Sequence, residues 1–331
     1  MTFHRLIVLL FIIIALVLIG CGSTSELAQT PVETAELRSE IQMIEIREPN
    51  LKANYFPPVK DGSPGIVVLG GSEGGIESST RLAKALAEKG FGTLAIAYFD
   101  FEDLPQYLEL IPLETFFTGI DWLASQSEID GSNIGLIGGS KGGEAALLVA
   151  SYRPDITAVV AYVPSNVAWQ EINPEKYFSA APSSSWSLNG EPLPFVSYDY
   201  AQPFELLVEL YTNSLAAHPA DDEDVIIKVE NINGPVLLLS GTDDQLWDAS
   251  TMSDLVVERA KQNDFSFEIK HLKYEDAGHY LLYSGAPESI EGYELDPRFL
   301  EFGGTTEGMR KAHVDAWAAT SQFFIDSLQD H

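Results

Sequence analysis

Two kinds of apolar spacing alternate along the chain from about residue 60. Ile66-Val67-Val68-Leu69, Ile134 to Ile137, Ile156 to Val163 and Pro235 to Ser240 are nearly continuous apolar runs, the pattern of strands buried on both faces of a parallel sheet. Phe91 to Tyr98 and Phe265 to Leu272 read as further strands, rich in aromatic and β-branched residues. Between them lie stretches with helical spacing: Ser79 to Lys89, Leu113 to Ser125 behind Pro112, the run after Lys141, Met252 to Gln262 and Thr306 to Leu328. In the run after Lys141, Ala145, Leu148 and Val149 fall at i, i+3 and i+4 and mark a face that can pack on a sheet. Strand, helix, strand is the rhythm of an α/β fold with a mostly parallel central sheet and helices on both faces. Ahead of it, Ile41 to Ile46 and Leu51 to Phe56 predict a short strand pair around Glu48-Pro49-Asn50.

The rhythm breaks between Pro164 and Asn233, where prolines, serines and aromatics dominate and one helix is predicted, Phe204 to Ser214. A segment of that length exceeds an ordinary connection. It reads as an insertion at residues 164–233: a lid or pocket wall over the carboxyl ends of the strands, or an ordered excursion with no part in substrate binding.

The sharpest local signal is Gly138-Gly139-Ser140-Lys141-Gly142, set between a strand and a helix. A serine on such a turn needs neighbours without side chains, because the backbone doubles back with no room for a Cβ. Alone, the string also suits a merely structural turn. A nucleophilic serine needs a base to take its proton and an acid to orient that base. Gly241-Thr242-Asp243-Asp244 follows one buried strand and Asp276-Ala277-Gly278-His279 follows the last. The order Ser140, Asp244, His279 is that of an α/β-hydrolase. Asp244 fits the Gly-x-x-Asp turn, with Asp243 as the alternative acid or as the residue that holds the turn. The other histidines offer less: His218 falls in the insertion, His271 inside a strand, His313 inside the last helix.

A tetrahedral oxyanion asks for two backbone N–H groups. Lys141 supplies one position. The glycine-rich loop Gly70 to Gly75 supplies the other, at Ser72 or Gly71. That loop has no lysine at Walker spacing and no dinucleotide-binding glycine register. No cofactor or catalytic metal is implied.

The chain of 331 residues carries a formal charge of −30, which argues against nucleic acid as a partner. At its start, Arg5, the apolar run Leu6 to Ile19 and Leu18-Ile19-Gly20-Cys21 resemble the lipobox of bacterial lipoproteins. The expectation is a signal peptide at 1–20, a lipid on Cys21, the one cysteine, a tether at 21–40 and the main domain at 41–331. The resemblance implies export to the cell envelope, the outer membrane where the cell has one, with the membrane as partner through Cys21.

Taken together, GIVVLGGSEGGIESS, FGTLAIAYFDFEDLP, IGLIGGSKGGEAALLVAS, SGTDDQLW and DAGHYLL resemble the dienelactone-hydrolase-like part of the α/β-hydrolase superfamily. More narrowly, they resemble the C-terminal catalytic domain of acyl-CoA thioesterases and bile acid-CoA:amino acid N-acyltransferases, over about residues 60 to 325. The resemblance implies Ser140 as nucleophile, Asp244 as acid, His279 as base and a structural or pocket-lining tryptophan at Trp247. Gly22 to Pro57 is too short for the β-sandwich domain of the eukaryotic members. The acyltransferases carry cysteine where Ser140 stands, which favours hydrolysis here. The expected substrate is a small acyl thioester or carboxylic ester. An exported esterase without a role for CoA, a serine peptidase and a non-catalytic envelope binding module are the alternatives.

Overall fold

The computed structural model describes residues 41–219 and 222–329; the expected signal peptide, the expected tether and Cys21 lie outside the described residues. Strands β1 (Ile44–Glu48) and β2 (Leu51–Phe56) pair antiparallel. They are followed by β3 (Ser63–Leu69), α1 (Glu77–Ala87), β4 (Gly92–Ala97), the two-residue β5 (Ile111–Pro112), α2 (Leu113–Ala124), β6 (Ile129–Gly139), α3 (Lys141–Tyr152) and β7 (Ile156–Tyr162). Next come the short β8 (Trp186–Leu188) and β9 (Glu191–Pro192) and helix α4 (Leu207–Ala217). Then β10 (Val236–Gly241), α5 (Ala249–Gln262), β11 (Ile269–Tyr274) and α6 (Thr306–Leu328) close the fold.

Eight strands form one sheet in the order β1-β2-β4-β3-β6-β7-β10-β11. From β4 to β11 all neighbours are parallel, and β2 joins them antiparallel. This is an α/β-hydrolase-like fold with added elements. The unbroken apolar runs are explained by its layers. Val67 and Leu69 of β3 face the cluster that holds Leu113, Phe116 and Ile120 of α2 and Ala145 to Ala150 of α3. Ile66 and Val68 face the opposite cluster, with Leu82 and Leu86 of α1 and Ala312, Ala316 and Phe324 of α6. Each fully buried Val, Leu, Ile or Phe among them contributes roughly 1.5–3 kcal/mol.

The order of the strands places the site. From β3 the chain moves outward to β4, then crosses back to β6 on the other side of β3. The loops after β3 and β6 therefore diverge and leave a crevice at their carboxyl ends, the usual ligand position in open parallel sheets. Leu69 pairs with Gly138, so the glycine-rich loop and the serine turn leave the sheet side by side.

Several boundaries differ from the sequence reading: α4 runs Leu207–Ala217 where Phe204 to Ser214 is expected, α5 begins at Ala249 before Met252, and three strands shift as well. β1 runs from Ile44 to Glu48 instead of from Ile41, with Ile44 opposite Tyr55 and Glu48 opposite Leu51. β6 begins five residues early, at Ile129, and keeps its pairing to β3 through a register shift at Pro64/Gly65. Phe265 to Phe267 do not join β11: the Phe265 amide bonds to Ala260 O at 2.9 Å and closes the end of α5. The inserted segment is no free-standing cap in its first half. Val167, Trp169, Trp186 and Val196 are buried in the core, β8 pairs with β5, and Trp169 bridges to Val196.

Candidate active site

Ser140 stands between β6 and α3 with φ 56° and ψ −123°, a left-handed conformation that costs a residue with a Cβ about 1–3 kcal/mol. The surroundings enforce it. Its N–H donates to Tyr162 O at 2.9 Å, and its own carbonyl accepts from the Glu144 amide at 3.0 Å. The flanking glycines are set by close approach. A Cβ on Gly138 would lie 2.1 Å from Gly142 O, and one on Gly142 would lie 2.3 Å from Gly70 O. Ser140 itself is half-buried, so its hydroxyl is held at the rim.

Three residues far apart in sequence meet there. The Ser140 hydroxyl lies 2.9 Å from His279 Nε2, and His279 Nδ1 lies 2.8 Å from Asp244 Oδ2. Nδ1–H donates to the carboxylate, which leaves Nε2 to accept from the serine. Asp244 is fixed in turn: its Oδ1 accepts from the amides of Leu246 at 3.0 Å and Trp247 at 3.2 Å. Asp243 points elsewhere. Its Oδ2 accepts from the Gly304 amide at 2.8 Å and its Oδ1 from Gln245 at 3.2 Å, so it ties the acid turn to the loop after His279. Trp247 is fully buried, donates to Val163 O at 3.0 Å and packs edge-on 5.8 Å from the imidazole. It backs the histidine and lines no open cleft.

The other histidines have distinct partners. His218 meets Asp222 at 3.0 Å. His313 donates from Nε2 to Tyr280 O at 2.8 Å and accepts at Nδ1 from Tyr293 at 2.8 Å. It thereby fixes the residue after His279, a role its helical position did not signal; burial lowers its pKa. His271 Nε2 lies 2.7 Å from Ser240 Oγ and its Nδ1 3.0 Å from Asp254, a second serine–histidine–carboxylate set spanning β10, β11 and α5.

On the other side of the serine lies the glycine-rich loop. Gly71 is buried, and a Cβ there would lie 3.5 Å from Ser140 Cβ; Ser72 follows it and is exposed. Tyr98 donates its hydroxyl to Gly70 O at 2.5 Å and Gly71 O at 3.3 Å. Burial, followed by the charges of Glu73 and Glu144, pushes its pKa well above the usual range, so this donor stays protonated.

Lys141 heads α3, and its side chain turns inward. Its Nζ meets Glu144 Oε2 at 2.7 Å, both side chains being closed to solvent, and lies 5.3 Å from the Trp186 ring. Glu144 Oε1 accepts from the Trp169 amide at 3.0 Å and from Trp186 Nε1 at 2.6 Å. Burial lowers the lysine pKa, with Glu144 acting against it. The pair bolts the serine turn to the inserted segment, and no local pattern signals it: Glu144 has the spacing of an ordinary helix residue. Removing one partner of such a pair costs about 3–5 kcal/mol.

Beyond Trp247 an aromatic file leads outward. Ring centroids are 5.3 Å apart from Trp247 to Tyr211, 5.3 Å from Tyr211 to Tyr198, 6.0 Å from Tyr198 to Tyr200 and 4.5 Å from Tyr200 to Phe178. Phe178 is 74% exposed. The file joins the histidine's backing to an apolar rim contributed by the insertion.

Known proteins resemble this arrangement in sequence and in fold. The chain is 31% identical over 310 residues to acyl-coenzyme A thioesterase 2, mitochondrial, of Mus musculus, which covers 91% of this chain and 64% of that protein. It is 30% identical to acyl-coenzyme A thioesterase 1 of Mus musculus, over 91% of this chain and 69% of the relative. The chain thus spans about two thirds of the length of these relatives. In fold it is similar to the crystal structure of a dienelactone hydrolase-like promiscuous phosphotriesterase from metagenomic libraries, at 17% identity and TM-score 0.51, covering 87% of this chain and 98% of that one. Residues 111–330 match the family model described as BAAT / Acyl-CoA thioester hydrolase C terminal. With that match over most of the fold, the chain belongs to the BAAT / acyl-CoA thioester hydrolase C-terminal family.

Proposed function

We propose that this chain is a serine hydrolase that cleaves small acyl esters or thioesters through an acyl-enzyme on Ser140. The observation that carries the reading is the 2.9 Å and 2.8 Å relay from Ser140 through His279 to Asp244, met at the strained turn where two strand-end loops diverge. His279 Nε2 takes the hydroxyl proton as Oγ attacks the carbonyl carbon, and the oxyanion forms against the amides of Lys141 and of Ser72 or Gly71. Collapse breaks the bond to the leaving oxygen or sulfur, which receives the proton from His279. Water then repeats the sequence: it yields a proton to His279 and its oxygen to the acyl carbon, and Ser140 regains the proton. Asp244 keeps Nδ1 protonated and stabilises the imidazolium formed on the way.

Turnover of p-nitrophenyl esters of graded chain length and of acyl-CoAs, with Ser140→Ala as blank, tests this. Turnover that vanishes in the variant supports it; turnover that survives in Ser140→Ala contradicts it. From Leu18-Ile19-Gly20-Cys21 we propose in addition a lipid on Cys21 and attachment to the cell envelope. The intact mass of detergent-extracted protein, with and without Cys21→Ala, decides that point.

A further inference from the structure

The rim around Ser140 is unevenly charged. The loops after the parallel strands, residues 70–76, 98–110, 163–206, 242–248 and 275–305, hold two cations, Lys176 and Arg298. Both are paired, Lys176 with Glu109 and Arg298 with Asp296. The lysine next to the nucleophile is buried on Glu144. Carboxylates, by contrast, stand close to the chemistry. A Cβ on Gly71 would lie 2.7 Å from Glu73 Oε2 and 3.5 Å from Ser140 Cβ, so the Glu73 carboxylate borders the space above the nucleophile. Ser78 donates to its other oxygen and holds it there. Burial, followed by the charges of Glu301 and Glu73, pushes up the pKa of Tyr280, beside His279.

This field acts on the substrate. An acyl group or leaving group that carries negative charge near the scissile carbonyl meets Glu73, while both cations of these loops are paired with carboxylates. An uncharged ester meets no such repulsion. We infer that the mouth over Ser140 selects uncharged carboxylic esters against anionic acyl substrates, with Glu73 as the specificity-determining residue. The inference rests on the hydrolase reading above and narrows its substrate class: polyanionic carriers such as CoA become the disfavoured leaving group.

The test compares kcat/KM for three probes on the full chain in neutral detergent: p-nitrophenyl butyrate, the mono-p-nitrophenyl ester of succinate, and butyryl-CoA. The neutral ester is expected to lead both anions. Glu73→Gln keeps an acceptor for Ser78 and is expected to move the succinate-to-butyrate ratio by about tenfold toward the anion. Glu301→Gln should move it less, and added salt should narrow the wild-type gap more than the Glu73→Gln gap. The inference is overturned by butyryl-CoA matching or exceeding the neutral ester, or by a ratio that stays within twofold in Glu73→Gln. Those outcomes leave Ser140-dependent turnover standing, whereas loss of that dependence for all three probes overturns the hydrolase reading and this inference with it.

Discussion

Two serine–histidine–aspartate sets occur in the same domain with almost the same internal distances. Ser140, His279 and Asp244 are spaced at 2.9 and 2.8 Å; Ser240, His271 and Asp254 at 2.7 and 3.0 Å. What separates them is the backbone each serine stands on. Ser140 is at a strand-to-helix apex with positive φ, half-buried, beside the first amide of α3 and the Gly71 loop. Ser240 is inside β10, fully buried and opposite Lys273 in the ladder with β11, where successive amides are taken by neighbouring strands. The acids differ too. The Asp244 side chain is 1% exposed and held by two amides, while that of Asp254 is 53% exposed and shared with Lys273. Hydrogen-bond distances alone do not make a nucleophile. Access and a place for the oxyanion do.

The contrast can be broken most severely at the serines. Ser140→Ala is expected to lower kcat by about 10⁴-fold or more, while Ser240→Ala keeps kcat and loses about 1 kcal/mol of stability with its hydrogen bond. Steady-state hydrolysis with urea melts reads both. Next come the acids: Asp244→Asn should cost about 10⁴-fold in kcat through the wrong histidine tautomer, and Asp254→Asn should leave kcat alone. Asp243→Asn weakens the hold on Gly304 and is expected to cost less than tenfold in kcat and about 1–2 kcal/mol of stability. The smallest effect is one of pH. Burial lowers the His271 pKa below its ordinary 6.5, with Asp254 acting against the shift. The unfolded chain therefore takes up the proton more readily, so this contribution to stability is full above about pH 6.5 and is lost as pH falls below it. The urea midpoint should drop from pH 7.5 to 5.5, and drop less in His271→Gln.

The sheet was legible because its strands are buried on both faces and their apolar runs admit few other readings. The meeting of Ser140, Asp244 and His279 could be anticipated because each sits at a strand end with glycines that the packing requires. Between Asp243 and Asp244 the Gly-x-x-Asp turn favours Asp244, but the sequence does not show their partners: both follow β10, and in space Asp244 meets His279 while Asp243 meets Gly304. Ser240 and His271 are 31 residues apart and meet only because β10 and β11 pair; no local spacing signals that. Glu144 was hidden for a similar reason: its partners Trp169 and Trp186 come from the insertion, whose aromatic composition marks it as unusual without saying what it packs against.

The central claim is that one of the two serines is the nucleophile and that backbone placement decides which. A fluorophosphonate probe, followed by peptide mapping of the adduct on wild type, Ser140→Ala and Ser240→Ala, tests it directly. The account requires a single adduct on Ser140, absent from Ser140→Ala and retained in Ser240→Ala. An adduct on Ser240, or labelling that persists without Ser140, would contradict it.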